Sequence, residues 1–536
     1  MNRRLLLVFA LVLAAGIVRL SFTGLARLRS AGGPLGENSS ATVETGPPAP
    51  TSPPKSPPPG RPFADTPITF STAIPMAEEL RAAVKGKNVV ICVLDAARAD
   101  HFSAYGYPRE TTPNFDRLAK ESLVFEQHFA EIGQTSPSTA SLLTSEYPDT
   151  HGLLSNLRDD TLYVALDPKA FTLEKGLQRA GFTTFFMSSN PAASPSLGVG
   201  GDFMQLDYRA RGHLDYRARG GSGVEASAVD YLLGLVAALP ARVKGQRSPF
   251  FAYLHVLPPH MPYAAPEKIK AQFMGKQPPN YWQCDSGFVH AEDAIPRMAA
   301  PASWVDWIDD YDANLRWADG FLGKLVETLK QAGLLEQTLL IVTADHGEAF
   351  GEHGYNFHID CPYDEVLHIP LLMRFPGQDK PVGKVHALTQ TIDLTPTILD
   401  LQALHFPHAE VQGKSLLPLL TGTADRVNEF LFSRGGYQSA FFIARDARST
   451  LLLHKDGKQR ALYDMDANPW QTRNVISDHP DRAAALTKAF GQFAKTQKYP
   501  PLNFLDPGYQ PPTRDLPTAR MSEETKRRLK SLGYLK

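Results

Sequence analysis

Cysteine is scarce in this 536-residue chain, with Cys92, Cys284 and Cys361 its only three. So few exclude a disulfide scaffold and leave room for one bridge, Cys284 to Cys361, in an oxidising compartment. Cys92 lies in an apolar run and reads as a core residue. An excess of charge of either sign is also lacking. Lys and Arg number 55 against 56 Asp and Glu, for a net charge of -1, so nothing in the balance invites nucleic acid. Of long hydrophobic runs there is one, Leu5 to Val18, preceded by Arg3 and Arg4 and ended by Arg19. A membrane span takes roughly 20 apolar residues and a signal-peptide core about 7–15. Residues 1–26 are therefore expected to be a signal peptide, with Gly24-Leu25-Ala26 as a cleavage candidate, or a signal anchor that would leave a single N-terminal membrane span. Either one exports the rest of the chain, to the periplasm or the cell exterior.

What is present divides the chain. Residues 27–80 read as a linker, stiffened by Pro47, Pro48, Pro50, Pro53, Pro54, Pro57, Pro58, Pro59 and Pro62. Residues 81–408 read as the catalytic domain, 409–500 as a smaller α+β subdomain, and 501–536 as a tail ending in a helix over 522–534. Asn88 to Leu94 and Thr338 to Thr343 are short apolar runs suited to strands buried on both faces. Helical patterns lie between them, at Asn114 to Glu121 and Trp307 to Gln331, and Phe171 to Arg179 leads into a strand over Thr183 to Met187. Later, Leu462 to Pro469 reads as a strand and turn and Arg482 to Lys495 as a helix. The fold class is α/β, a largely parallel sheet covered by helices on both faces. A short repeat, LDYRARG at Leu206 and again at Leu214, reads as a duplicated surface loop.

Ligands in such sheets bind beyond the carboxyl ends of strands. That places Asp95 and Asp345, each just past a strand, among the candidates. Asp95 is positioned to hold a hard cation and Arg98 to pair with an anionic substrate; the plainer reading of Asp95 is a turn residue capping a helix. Pro137 suits the first position of a helix, which sets Thr135 at that helix's amino end, where free N–H groups favour an anion. A hydroxyl there acts as a nucleophile if a metal lowers its pKa, although an N-cap is the commoner use of such a residue. Asp345 and His346 offer a carboxylate and an imidazole to one metal. His260, among prolines, sits in a loop from which it can protonate a leaving group.

These pieces come in a recognisable order. The strings VLDAARADHFSAYGY (93–107), TTPNFDRLAKESLVF (111–125), TSPSTASLLTS (135–145), FFAYLHVLPPHMPY (250–263) and VTADHGEAFGEHG (342–354) resemble the sulfatase family of the alkaline-phosphatase superfamily. The likeness runs over roughly residues 85–425 and recurs at LYDMDANPWQTRN (462–474). It implies an alkaline-phosphatase-like fold and an ester hydrolase acting on a small-molecule, glycan or lipid ester. It also implies that Asp95, Asp345 and His346 are metal ligands, with Thr135 contacting the metal, and that His260 and His358 contact the substrate or leaving group. Arg98, His151 and His255 would bind substrate.

Three departures bear on mechanism. Sulfatases carry Cys or Ser at the position of Thr135, and it is oxidised to formylglycine; threonine would give a ketone, so no formylglycine is expected. Ala96 stands where many members have another metal-binding aspartate. Ser188-Ser189-Asn190-Pro191 stands where the family has Lys-x-His. Thr135 with Asp95, Asp345 and His346 resembles the one-metal site of phosphoglycerol and phosphoethanolamine transferases. One divalent metal is expected, with a histidine suiting Mn²⁺ or Zn²⁺ over Mg²⁺ or Ca²⁺. The readings left open are a phosphate- or sulfate-ester hydrolase using Thr135, a sulfatase without formylglycine, a phospho-headgroup transferase acting on cell-envelope glycans or lipids, and an inactive binding protein.

Overall fold

The structure is a computed structural model and describes residues 68–155, 162–195, 198–208, 222–275, 304–377, 380–407, 410–436, 439–501, 518–520, 523 and 526–527. The N-terminal segment, Cys284, the second copy of the repeat and most of the expected last helix lie outside these residues. Among the described residues no helix is long and apolar enough to cross a membrane.

Nine strands form the main sheet. They are β1 (Ile68–Phe70), β2 (Asn88–Leu94), β3 (Leu123–Phe125), β4 (Thr183–Ser188), β5 (Gln205–Tyr208), β6 (Phe250–Val256), β7 (Thr338–Thr343), β8 (Leu371–Arg374) and β9 (Gly383–Val385). Their order across the sheet is β1-β9-β3-β8-β7-β2-β6-β4-β5. The β7-β2-β6-β4-β5 block is parallel, while β8 runs against both of its neighbours and β1 against β9. The expected parallel α/β sheet is therefore present with two reversed strands.

Strand β2 has no polar face because both of its faces are covered. Val90, Cys92 and Leu94 pack with α5 (Ser222–Val243) and α6 (Trp304–Gln331). Val89, Ile91 and Val93 pack with α3 (Thr135–Thr144), α4 (Leu173–Arg179) and α7 (Leu394–Leu401). Burying seven consecutive side chains at about 1.5–3 kcal/mol for each large one makes this the sheet's anchor strand. Its neighbours share the pattern, which fixes where their carboxyl ends fall.

The ordered fold extends beyond the expected catalytic boundaries at both ends. Residues 68–70, assigned to the linker, form β1 and pair with β9. Leu416, Leu417, Leu419 and Leu420, assigned to the subdomain, belong to the main core. The first copy of the repeat begins as edge strand β5, so it is not purely a loop. The C-terminal subdomain is a four-stranded antiparallel sheet, Leu431–Arg434, Phe441–Arg445, Ser449–His454 and Gln459–Asp464. Helix α8 (Pro480–Thr496) covers one face through Leu486 and Phe490. The other face packs on Ala349, Tyr363, Val366 and Leu367, just downstream of His346. From the tail, residues 518–520 pair with 162–164.

Candidate active site

The carboxyl ends of β2, β7, β6 and β4 converge. Asp95 directly follows β2, and the chain turns there through Ala96, whose φ is +59°. That left-handed residue costs backbone energy and is held by its surroundings. The Ala96 N–H donates to Asp345 Oδ1 at 3.1 Å. Tyr311 of α6 donates its hydroxyl to the Ala96 carbonyl at 2.8 Å and accepts from the Arg98 N–H at 2.9 Å. Asp345 follows β7, and its Oδ1 also accepts the His346 N–H at 2.9 Å. Gly347 lets the loop pass close to its neighbour, since a Cβ there would lie 2.2 Å from the Glu365 carbonyl oxygen.

These fixed carboxylates leave two buried oxygens, Asp95 Oδ1 and Asp345 Oδ2, without a hydrogen-bond partner. Buried polar atoms are rarely left so, and two facing one space fit a cation. His346 donates from Nδ1 to the Gly347 carbonyl at 2.9 Å, which leaves the Nε2 lone pair directed at the carboxylates. That nitrogen lies 3.5 Å from Asp345 Oδ2 and 3.9 Å from Asp95 Oδ1. His255, placed with the substrate from sequence, lies instead on the carboxylates. Its Nε2 is 3.0 Å from Asp95 Oδ2 and 3.7 Å from Asp345 Oδ2. Ligand atoms of Asp95, His255 and Asp345 all fall within 4.8 Å of one another. The donor set of two carboxylates with imidazole suits a divalent ion.

The charges are strongly coupled. Burial raises the Asp95 carboxyl's pKa, but His260, His255 and His346 outweigh it and hold the group below its ordinary range. Burial and the neighbouring Asp95 charge push Asp345 upward. Burial works against the His255 charge, yet Asp95 and Asp345 hold its pKa above the ordinary value.

Thr135 is the first residue of α3, and Gln134 is its cap. Pro137 is therefore the third helical residue and not the first as expected, which the free first-turn N–H positions equally allow. Thr135 Oγ1 lies 3.3 Å from His346 Nε2, so the helix end delivers this hydroxyl to the carboxylate cluster. His260 and His358 meet beside it. The His260 Nδ1 donates to the Met261 carbonyl and the His358 Nδ1 to the Gly133 carbonyl. Their Nε2 atoms lie 3.1 Å apart, a contact that requires a proton between them. The His358 ring also stacks on His346, with centroids 4.2 Å apart.

Two further candidates sit differently from the sequence reading. Arg98 is buried against Asp100 and Glu352 and donates to the Glu348 carbonyl. Its charge braces the loop after β7. His151 meets α3, with Nε2 3.0 Å from Ser141 Oγ and Nδ1 accepting from the Leu153 N–H. In both cases the nearest partners are protein groups.

Asn190 is a residue the sequence reading missed as a site group. It follows β4 and donates its amide to Asp95 Oδ2. Its position in the segment standing for Lys-x-His was the available signal. Glu348 was also missed. It is buried, takes a hydrogen bond from the Tyr263 hydroxyl at 2.9 Å and has its pKa pushed up to about 7, chiefly by burial.

Comparisons with known proteins agree on family and fold. The family model described as Sulfatase matches residues 87–403, and that of N-sulphoglucosamine sulphohydrolase, C-terminal, matches 351–496. An ulvan-active sulfatase of Formosa agariphila is 25% identical over 411 residues, covering 73% of this chain and 77% of that protein. The multifunctional alkaline phosphatase superfamily protein PehA of Trinickia caryophylli is 26% identical over 500 residues, 76% of this chain and 94% of that one. The solved phosphonate monoester hydrolase of Agrobacterium radiobacter superposes with a TM-score of 0.62 at 22% identity, over 75% of this chain and 94% of that one.

Proposed function

The chain belongs to the sulfatase family and is an ester-bond hydrolase, and from that premise we propose that it hydrolyses phosphate or sulfate esters with Thr135 as nucleophile and one bound divalent metal. The observation that carries this reading is the Thr135 hydroxyl at a helix amino end, 3.3 Å from His346 Nε2, beside two orphaned carboxylate oxygens. Asp95, Asp345 and His346 would hold the ion, with His255 able to join them. A divalent cation there supplies Lewis acidity, lowering the pKa of an adjacent hydroxyl and offsetting anionic charge. Mn²⁺ or Zn²⁺ fits imidazole best, with Mg²⁺ and Ca²⁺ as the alternatives.

The chain's own groups do the rest. The amino end of α3 directs its N–H groups and positive dipole end at the anionic ester. The Thr135 hydroxyl gives its proton to solvent, and its Oγ1 then attacks phosphorus in line with the leaving oxygen, the new P–O bond forming as the old one breaks. The proton shared by His260 and His358 passes to the departing alkoxide. Water then attacks the threonine ester, giving one proton to the histidine pair and releasing Thr135 as the alkoxide that attacks the next ester. An unmodified threonine has no second hydroxyl to expel the product, so this last step favours phosphorus. A second reading, sulfate-ester hydrolysis without formylglycine, draws support from the family model and the ulvan-active relative.

The basic and apolar start of the chain supports export, with one N-terminal anchor in an uncleaved form. The test is a panel of aryl sulfate, phosphate, phosphodiester and phosphonate substrates, run with each metal on wild type and Thr135→Ala. Thr135→Ala should lower kcat by at least about 10³-fold. Wild-type turnover in that variant refutes Thr135 as the nucleophile.

A further inference from the structure

Strand β4 ends at Ser188, and the segment beyond it reaches both halves of the site. The side-chain amide of Asn190 is held at both ends. Its Nδ2 donates to Asp95 Oδ2, and its Oδ1 accepts the Ala192 N–H at 2.7 Å. A carboxylate only accepts and an N–H only donates, so the amide fits one way round. The backbone beneath it is tied as well. The Asn190 N–H donates to Ser188 Oγ at 3.1 Å, and the Asn190 carbonyl accepts the Ala193 N–H at 3.2 Å. With Oδ2 occupied, Asp95 keeps Oδ1, which is buried and has no hydrogen bond. An amide carries no net charge, so it orients the carboxylate and leaves its charge for a cation.

The same segment also reaches α3. The Ser136 hydroxyl donates to the Ala192 carbonyl. Ser136 is the second residue of α3, next to Thr135, and Asn190, Ala192 and Ser136 are all buried. Three hydrogen bonds therefore run without a gap from Asp95 to the residue beside Thr135. Thr135 Oγ1 itself lies 3.3 Å from His346 Nε2. The plainer alternative is that Ser136 only satisfies a buried carbonyl and stitches a loop to a helix.

Resting on the function proposed above, we propose that Asn190 and Ser136 are positioning residues, joined through Ala192 into one strap that fixes Asp95 and the Thr135 end of α3 relative to the cation.

The test titrates the metal-stripped full chain with Mn²⁺ as wild type, Asn190→Ala, Ser136→Ala and the double variant. Asn190→Ala should weaken binding about tenfold, as losing the partner of a ligand does. Ser136→Ala should weaken it about three- to fivefold, although its hydroxyl bonds to Ala192 and not to Asp95. The double variant should fall within about twofold of Asn190→Ala, since a strap cut twice is no looser than one cut once. Wild-type affinity in Ser136→Ala means a local stitch and overturns the proposal. So do losses that multiply, which would make the two residues independent. Should Asn190→Ala not fold, Ser136→Ala decides alone, because it removes only a buried hydroxyl. Mn²⁺ bound by a chain that hydrolyses none of the esters sinks the functional reading and leaves the strap's outcome standing. A wild type that takes up no Mn²⁺ also sinks that reading, and the cycle is then read on urea midpoints of the metal-free protein. There, additive shifts overturn the strap, and a double variant no less stable than Asn190→Ala upholds it.

Discussion

Two histidines face the same pair of carboxylates. His346 Nε2 lies 3.5 Å from Asp345 Oδ2, and His255 Nε2 lies 3.0 Å from Asp95 Oδ2. If both complete the cation site, His346→Ala and His255→Ala should each weaken Mn²⁺ binding by at least about tenfold. Titration of metal-stripped protein measures it. Unchanged affinity in His255→Ala would confine that side chain to hydrogen bonding with Asp95. Asp95 and Asp345 were legible because polar residues ending apolar runs stand out. His255 was not legible as a carboxylate partner, because it lies inside an apolar strand and 160 residues from Asp95. The partners of Arg98 were hidden for a related reason. The Glu352 that binds it is 254 residues away, and no local pattern shows that such a charge is already paired.

Among elements, legibility followed burial. Strands β2 and β7 were readable residue for residue because both are covered on both faces and must be continuously apolar. Helix starts were less so. The run from Pro137 gave the right helix with a start two residues late, since proline is also tolerated at the third position of a first turn. The loop after β7 depended on a contact no pattern reveals. Gly347 passes so close to Glu365 that Gly347→Ala would put a Cβ 2.2 Å from its carbonyl oxygen. The backbone would have to move, at a cost of about 1–3 kcal/mol. His346 would move with it, so the variant should lose metal affinity as well as stability. Urea unfolding and metal titration check the two together; a destabilised variant with undisturbed metal binding would show that the loop can yield without its neighbour.

At the scale of the whole molecule, Glu131 ties the layers together. It lies four residues before Thr135, its side chain accepts the Ile392 N–H at 3.0 Å, and its carbonyl accepts the Arg434 N–H of the C-terminal sheet at 2.9 Å. Its other carboxyl oxygen is buried without a hydrogen-bond partner. Burial, helped by nearby Asp393, pushes its pKa up to about 8. A carboxyl raised in the folded state adds stability fully present below its unfolded pKa of about 4.5, and loses it as pH climbs through the folded value. Glu174, raised to about 7, and Asp393, raised to about 6, act in the same direction. Glu126, held at about 2 by His386 and Lys384 against the effect of burial, acts oppositely and loses its contribution only in strong acid. The stabilising contribution of Glu131 should therefore be larger near pH 5 than near pH 8 by roughly 3–5 kcal/mol, while buried His128, whose pKa burial pushes down to about 3, works the other way. Glu131→Gln keeps the acceptor for Ile392 and removes the titration. Its Tm should gain on the wild type's as pH rises from 5 to 8, and an unaltered difference would mean that the buried carboxyl finds a compensating charge on folding.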